Sequence, residues 1–311
     1  EYMDSLQPKL IEVGCNACAV TLPVTKITYS EADFEGFGFN RTETEPAPID
    51  HMIRSLFIYR ENEKPVVMVN YACHPVVNGI DTSVSADYPG QVTAALEALG
   101  YQSIFITGFS GDIDPVQPRT YGAMESHGRA IAEAVIKSEN SAEPLNGDEI
   151  RFKTRPISIP FDIPSRAEVV AELLAAKNIM EENPKNMSAL QIVSWTADAL
   201  AEFEKPDFPK SRETYLQAVC VGNLAFIAVP GEMFAAYGLR LRKEFPGIRM
   251  FTVNTANGVV GYIPTPDEFD RKGTASHEAA RVYGIFTFRR DVGEQMCCEA
   301  AELLRNLTSA R

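Results

Sequence analysis

A mixed α/β fold, with helices packed on a sheet, is predicted by three features of this sequence. Short apolar runs of the buried-strand type recur at residues 53–59, 66–69, 103–107, 224–229 and 250–254. Segments of helical period alternate with them, which is the order that places helices on a sheet. The third feature is size: 311 residues, 45% of them hydrophobic, can bury a full core, and that apolar content excludes intrinsic disorder. A formal charge of -13 leaves no basic surface to neutralise phosphates, so nucleic-acid binding is not expected. No run of 18 apolar residues offers a transmembrane segment.

Taken in order, residues 1–9 read as the tail of a helix ending near Pro8, residues 10–20 as a strand, and residues 34–42 as a glycine-punctuated loop. Residues 42–50, acidic and proline-bearing, should be exposed. The chain opens at Glu1 in mid-pattern, without Met or a leader, and so reads as a processed or trimmed product. Residues 53–59 and 65–71 form a hairpin through Arg60-Glu-Asn-Glu-Lys64. That hairpin delivers His74 into a turn fixed by Pro75. From Asp87 the period becomes helical, with Val92, Ala95, Leu96 and Leu99 on one face and Gly100 closing the helix. A short buried strand follows at 103–107, then a helix at 121–137 and a polar linker at 138–147. Residues 150–161 alternate like a strand.

Two helices, 165–182 and 187–203, are split by Asn183-Pro-Lys-Asn186. They form an insertion between sheet elements, either an ordinary helical layer or the cover of a cleft. Residues 215–220 and 224–229 make a hairpin because Gly222-Asn223 supplies the positive-φ residues of a two-residue turn. The second strand runs into Pro230-Gly-Glu-Met233 and an amphipathic helix to Phe245. Glu232 is thus placed at a helix start, where the dipole favours the carboxylate. A strand at 250–254 and a last helix at 292–307 complete a single domain over 1–311. Of the six cysteines, Cys15 and Cys18 have the C-x-x-C spacing, but no second pair stands at zinc-ribbon distance, so they read as structural or incidental thiols.

Three potential ligands stand just after three separate strands: His74, Glu232 and Tyr262. Imidazole, carboxylate and phenolate are all acceptable to Zn²⁺, and a sheet gathers strand ends at one edge. Ser110 lies in Gly108-Phe-Ser-Gly111, which lacks the G-x-S-x-G elbow of a serine hydrolase.

Asn70-Tyr-Ala-Cys-His-Pro-Val-Val77 with Ser85-Ala-Asp-Tyr-Pro-Gly90, Gly111-Asp-Ile-Asp-Pro115, Val229-Pro-Gly-Glu-Met233 and Gly261-Tyr-Ile-Pro-Thr-Pro266 resemble, in that order, the motifs of the neutral/alkaline (non-lysosomal) ceramidase family. The likeness runs from about residue 5 to about residue 307 and is closer to the short bacterial relatives than to ceramidases proper. It implies a ceramidase-like α/β catalytic domain and a zinc ion held by two histidines, a glutamate and a tyrosine. His74 would be the second histidine, Glu232 the glutamate and Tyr262 the tyrosine. The first zinc histidine and a neighbouring catalytic one belong to a His-Thr-His-Ser-Gly segment expected before residue 1, so the amino-terminal part of the family domain is missing here.

Asn40-Arg41 resembles the family's Asn-Arg pair, whose arginine positions the substrate amide and its oxyanion. The Gly111–Pro115 motif brings Asp112 and Asp114 into the catalytic group, Asp114 standing where ceramidases carry serine. A carboxylate there favours direct attack by water over an acyl-enzyme. The tyrosine expected about a dozen residues after Tyr262 has no equivalent in residues 271–278. The expectation is a zinc-dependent hydrolase of an amide or ester bond acting on a small-molecule or lipid-like amide in an extracytoplasmic, bacterial setting. The alternative is a catalytically inactive member of the fold that binds a lipid or glycoconjugate.

Overall fold

A computed structural model describes residues 2–42, 47–79, 83–116 and 118–308. The chain begins with α1 (Tyr2–Ala19), then β1 (Val24–Asp33), β2 (Gly38–Asn40), β3 (Met52–Arg60), β4 (Val66–Tyr71), α2 (Asp87–Ala98), β5 (Gln102–Thr107), β6 (Ile113–Pro115) and α3 (Tyr121–Glu139). The middle holds β7 (Glu143–Pro144), β8 (Ile150–Asp162), α4 (Arg166–Glu182), α5 (Met187–Phe203), β9 (Ser211–Val221) and β10 (Leu224–Ala228). It ends with β11 (Glu232–Met233), α6 (Ala235–Glu244), β12 (Arg249–Val253), β13 (Tyr262–Ile263), α7 (Pro266–Asp270), α8 (Glu278–Val282), β14 (Thr287–Phe288) and α9 (Val292–Thr308).

Among the described residues the strands form two five-stranded mixed sheets, β5-β4-β3-β1-β7 and β12-β10-β9-β8-β14, with two-stranded ribbons β11-β13 and β2-β6. The two expected hairpins are present, β3 against β4 and β9 against β10, both antiparallel. The second turns at Gly222, whose φ of 55° is left-handed and whose Cβ, were there one, would lie 2.2 Å from the Gly147 carbonyl oxygen. Glycine is therefore required there for both conformation and space.

Four expectations are corrected. Residues 10–19 are helical, the continuation of α1, and residue 20 lies just beyond it, so the stretch 10–20 is not a strand. With no sheet edge beside it, the segment satisfies its backbone internally, and its Leu10, Ile11 and Val13 remain 60–65% exposed. Strand β5 lies at the edge of its sheet with Ile104 48% exposed, so it is not a buried strand. Residues 138–147 are no loose linker: α3 runs to Glu139, Ser138 is buried against Ser30 at 2.7 Å, and β7 pairs with β1. Asp50, in the stretch read as exposed, is 3% exposed, its carboxylate gripped by Arg54 Nη1 at 2.9 Å and Arg242 Nη1 at 2.6 Å. Residues 43–46 of that stretch, and Glu1, lie outside the described residues.

The two sheets meet edge to edge. Strands β4 and β5 are parallel, as are β10 and β12. Beyond their carboxyl ends a relay of backbone bonds joins all four: Gly108 N to Tyr71 O at 2.9 Å, Asn254 N to Thr107 O at 3.1 Å, and Val229 N to Val253 O at 2.9 Å. Deeper in the seam the buried Asn70 amide donates to both Ile106 O and Thr252 O, at 2.9 and 2.8 Å. Each of those carbonyls belongs to an edge strand, so Asn70 satisfies polar groups that burial would otherwise leave unpaired. Helices α2 and α3 pack on one sheet and α6 and α9 on the other, each with its own apolar cluster. Among the described residues no helix is long and apolar enough to cross a membrane.

Candidate active site

His74 leaves the end of β4 and is fixed twice by one carbonyl. Its backbone N bonds Ile113 O at 2.9 Å and its ring Nδ1 approaches the same oxygen at 3.1 Å. Tyr88, fully buried, donates to Cys73 O at 2.8 Å, and the Asp87 carboxylate takes the backbone N–H groups of Val77 and Asn78 at 3.0 and 2.7 Å. Asp87 does this from a left-handed backbone, φ 50°, an outlier for a residue other than glycine and a strain that the surrounding bonds sustain. The Ser85–Gly90 segment therefore acts on His74 from a distance by bracing the loop behind it.

Glu232 and Tyr262 are brought together by strand register. Ribbon strands β11 and β13 are parallel and set Glu232 directly opposite Tyr262. Glu232 is consequently not at a helix start: the N-cap of α6 is Phe234, two residues on. Asn254 clamps this ribbon, accepting from Met233 N at 3.1 Å and donating to Met233 O at 3.4 Å. Gly111 N also reaches Met233 O, at 3.0 Å, and a Cβ at Gly111 would stand 2.3 Å from Glu232 O and 2.9 Å from the Phe234 ring. Backbone cannot yield as a side chain does, so Gly111→Ala is expected to cost about 1–3 kcal/mol, as overpacking does. The urea midpoint of the variant measures it, and an unchanged midpoint would show that the ribbon yields.

The three expected ligands converge. His74 Nε2 lies 2.7 Å from Glu232 Oε2 and 3.2 Å from the Tyr262 hydroxyl. The Ile113 carbonyl can only accept, so the proton in its contact belongs to Nδ1, and Nε2 is the nitrogen that faces the carboxylate. A neutral ring would set a lone pair against a carboxylate oxygen at that distance. A positive centre between them, either a second ring proton or a metal ion, removes the conflict. The donor set therefore fits a metal: an imidazole whose tautomer is fixed by a carbonyl behind it, a carboxylate and a phenol. Among the described residues no three His, Cys, Asp or Glu side chains gather as one metal-binding group.

Burial alone would raise the Glu232 carboxyl, but hydrogen bonds from His74 and Tyr283 outweigh it and hold the group below the usual range. Burial first, and then the Glu232 charge, push the Tyr262 phenol up to about 12.

Arg41 and the two aspartates surround this trio. The short β2-β6 ribbon carries both: Arg41 N bonds Asp112 O at 2.9 Å, and Arg41 Nη2 donates to Gly111 O at 2.8 Å. The guanidinium stands 5.1 Å over the Tyr262 ring, with Nε 3.8 Å from Asp114 Oδ1. Asp114 Oδ1 is also 3.8 Å from His74 Nδ1, while its Oδ2 takes Arg119 Nη2 at 2.7 Å. Asp112 is 1% exposed, and both its oxygens are occupied: Oδ1 by Ala235 N and Oδ2 by Asn40 Nδ2, each at 2.8 Å. Burial pushes its carboxyl up to about 6.

Tyr283 completes the group, its hydroxyl donating to Glu232 Oε1. It follows Tyr262 by 21 residues, with α7 and α8 between them, and was not among the residues expected from the sequence. A cavity of about 570 Å³ opens from Arg41, Tyr262 and Tyr283. Its other walls come from α8 and from the helical insertion, where α5 contributes Ser188, Gln191 and Ile192. Cys15 and Cys18 are exposed free thiols on α1, and Ser110 is 2% exposed.

The architecture is that of the ceramidase-like α/β fold. It is similar to the crystal structure of neutral ceramidase from Pseudomonas aeruginosa, with a TM-score of 0.64 and 16% identity over 93% of this chain and 54% of that one. A ceramidase complexed with C2 is similar too, with a TM-score of 0.67 and 16% identity over 94% of this chain and 55% of that one. The chain thus spans about half the length of those ceramidases, and at such identity the likeness is one of fold. No protein-family model and no curated protein sequence matches the chain.

Proposed function

We propose that the protein is a zinc-dependent hydrolase of an amide or ester bond, and that its substrate is a small-molecule or lipid-like amide met outside the cytoplasm. The observation that carries this reading is the convergence of His74 Nε2, Glu232 Oε2 and the Tyr262 hydroxyl, with the imidazole nitrogen 2.7 Å from the carboxylate and 3.2 Å from the phenol. These three residues would hold the zinc ion, which when bound lowers the pKa of water and polarises a carbonyl. Arg41, beside Tyr262, orients the substrate carbonyl and stabilises the oxyanion that develops on it.

Of the two aspartates, Asp114 is the one that takes the water proton, because among the described residues its Oδ1 has no hydrogen-bond donor closer than 3.8 Å. Asp112, with both oxygens engaged, is a positioning residue: it ties Asn40, next to Arg41, to the start of α6. That reading sets aside a direct catalytic part for Asp112. The cavity beside Tyr262 receives the rest of the substrate.

Zinc content and turnover of N-acyl 4-nitroanilides by the full chain test the reading. Stoichiometric zinc with chelator-sensitive hydrolysis is expected, and a protein that neither binds zinc nor cleaves any amide or ester would end it. Tight ligand binding that persists in chelator without turnover would favour the inactive binding member of the fold. Tyr283→Phe removes the hydroxyl that orients Glu232, and outer partners of metal ligands are generally worth about 10–100-fold in affinity. The variant is expected to bind zinc weaker by that factor in a chelator competition, with little change in thermal midpoint. Unaltered zinc affinity would make Tyr283 a packing residue.

A further inference from the structure

We infer that His277 and Glu278, neighbours in the lining of the cavity of about 570 Å³, recognise a cationic amine carried by the substrate. The inference rests on the hydrolase reading only for the word substrate, and the site itself is argued from the cavity. Both residues line it, as do Tyr262 and Arg41 of the candidate active site.

The ring of His277 is oriented by its neighbour. Nδ1 lies 2.8 Å from Ser276 Oγ, and the same hydroxyl is 3.0 Å from Glu268 O and from Gly273 O. Ser276 has a single proton to give, and two carbonyls that can only accept compete for it. The arrangement with fewest opposed lone pairs sends that proton to a carbonyl and lets Oγ accept from Nδ1–H. Nε2 is then an acceptor. Among the described residues it has no hydrogen-bond partner, and His277 lines the cavity. Burial first, then Arg281 and Lys272, hold the ring below the usual histidine range, which keeps that lone pair available.

The lining of the cavity carries two arginines, Arg41 and Arg281, and two glutamates, Glu172 and Glu278. Arg281 is spent: Nε and Nη2 bind the two Glu172 oxygens at 3.0 and 3.1 Å, Nη1 donates to His277 O and Thr287 Oγ1, and the group lies 4.5 Å over Trp195. Lys272 lines a neighbouring recess and not this cavity. Glu278 is exposed and makes no ion pair with any described residue, so this part of the lining offers one carboxylate and one imidazole lone pair. An ammonium satisfies both, whereas a hydroxyl has only one proton to share between them.

Binding of 6-aminohexanamide and of hexanamide to the zinc-loaded full chain, measured by calorimetry, tests the site independently of turnover. The amine is expected to bind tighter by roughly 10–100-fold, the size of a charged hydrogen bond. His277→Phe and Glu278→Gln should each bring the two affinities together, while His277→Gln, which keeps an acceptor, should retain part of the preference. Equal affinities in the unaltered protein, or a preference that survives both His277→Phe and Glu278→Gln, would overturn the inference. The 4-nitroanilides of the corresponding acids are assayed in parallel: amine preference in binding with no hydrolysis of either would count against the hydrolase reading and leave the amine site standing.

Discussion

Arg41→Met is expected to lower kcat by about 10²–10³-fold with little change in KM, the cost of removing one oxyanion donor. Methionine keeps the unbranched stem and its packing on Tyr262 and removes only the charge and its donors. Three contacts fix the guanidinium now: the Gly111 carbonyl at 2.8 Å, Asp114 Oδ1 at 3.8 Å and the Tyr262 ring at 5.1 Å. Arg41→Lys should rescue little, because a point charge cannot hold Gly111 and face a carbonyl with the same rigid fork. Zinc content serves as the control, since Arg41 is not among the three residues proposed to hold the metal. A methionine variant that keeps kcat within threefold would remove Arg41 from the reacting centre.

Asp50→Ala is expected to be the most damaging single change to stability, at about 3–5 kcal/mol, because it strands buried cations without their partner. Arg54 is 4% exposed and the Arg242 side chain 15%; burial pushes the Arg242 guanidinium down to about 10, still cationic at neutral pH. The Arg242 fork also reaches Thr252 Oγ1 at 3.2 Å, so the pair supports the seam between the sheets. The same group sets an acid limit.

Burial would raise Asp50, but Arg242 and then Arg54 pull it below its ordinary value of 3.8. A depressed folded pKa gives stability that is complete above the unfolded pKa and is lost as pH falls through the folded one. Thermal midpoints of the native protein should therefore drop more steeply below about pH 4 than those of Asp50→Asn. Parallel curves for the two proteins would show that Asp50 carries no such stabilisation.

The trio was legible in the sequence because turn chemistry and strand ends are local signals. His74-Pro75, Pro230-Gly231 and Gly261 each follow an apolar run, and strand ends collect at one edge when the strands are parallel. What the sequence hid was long-range. Asn254 reads as the last residue of a strand, and only the fold shows it gripping Met233 at both N and O. Asp50 reads as part of a polar loop, since its arginines come from a strand interior and from a helix some 190 residues on. Tyr283 was missed because only the fold brings it to Glu232, with α7 and α8 between it and Tyr262. The reading of residues 10–20 failed differently: an apolar run of that length suits strand or helix, and only the presence or absence of a neighbouring edge decides.

The seam described above has a consequence for how the centre is owned. His74 follows a strand of one sheet and Arg41 follows the β2-β6 ribbon, whereas Glu232 and Tyr262 lie on the β11-β13 ribbon, whose first strand comes directly after β10 of the other sheet. Neither half holds a working set alone. Loosening the join, even with both sheets intact, should silence the protein before it melts, so loss of turnover on warming ought to run ahead of loss of ellipticity.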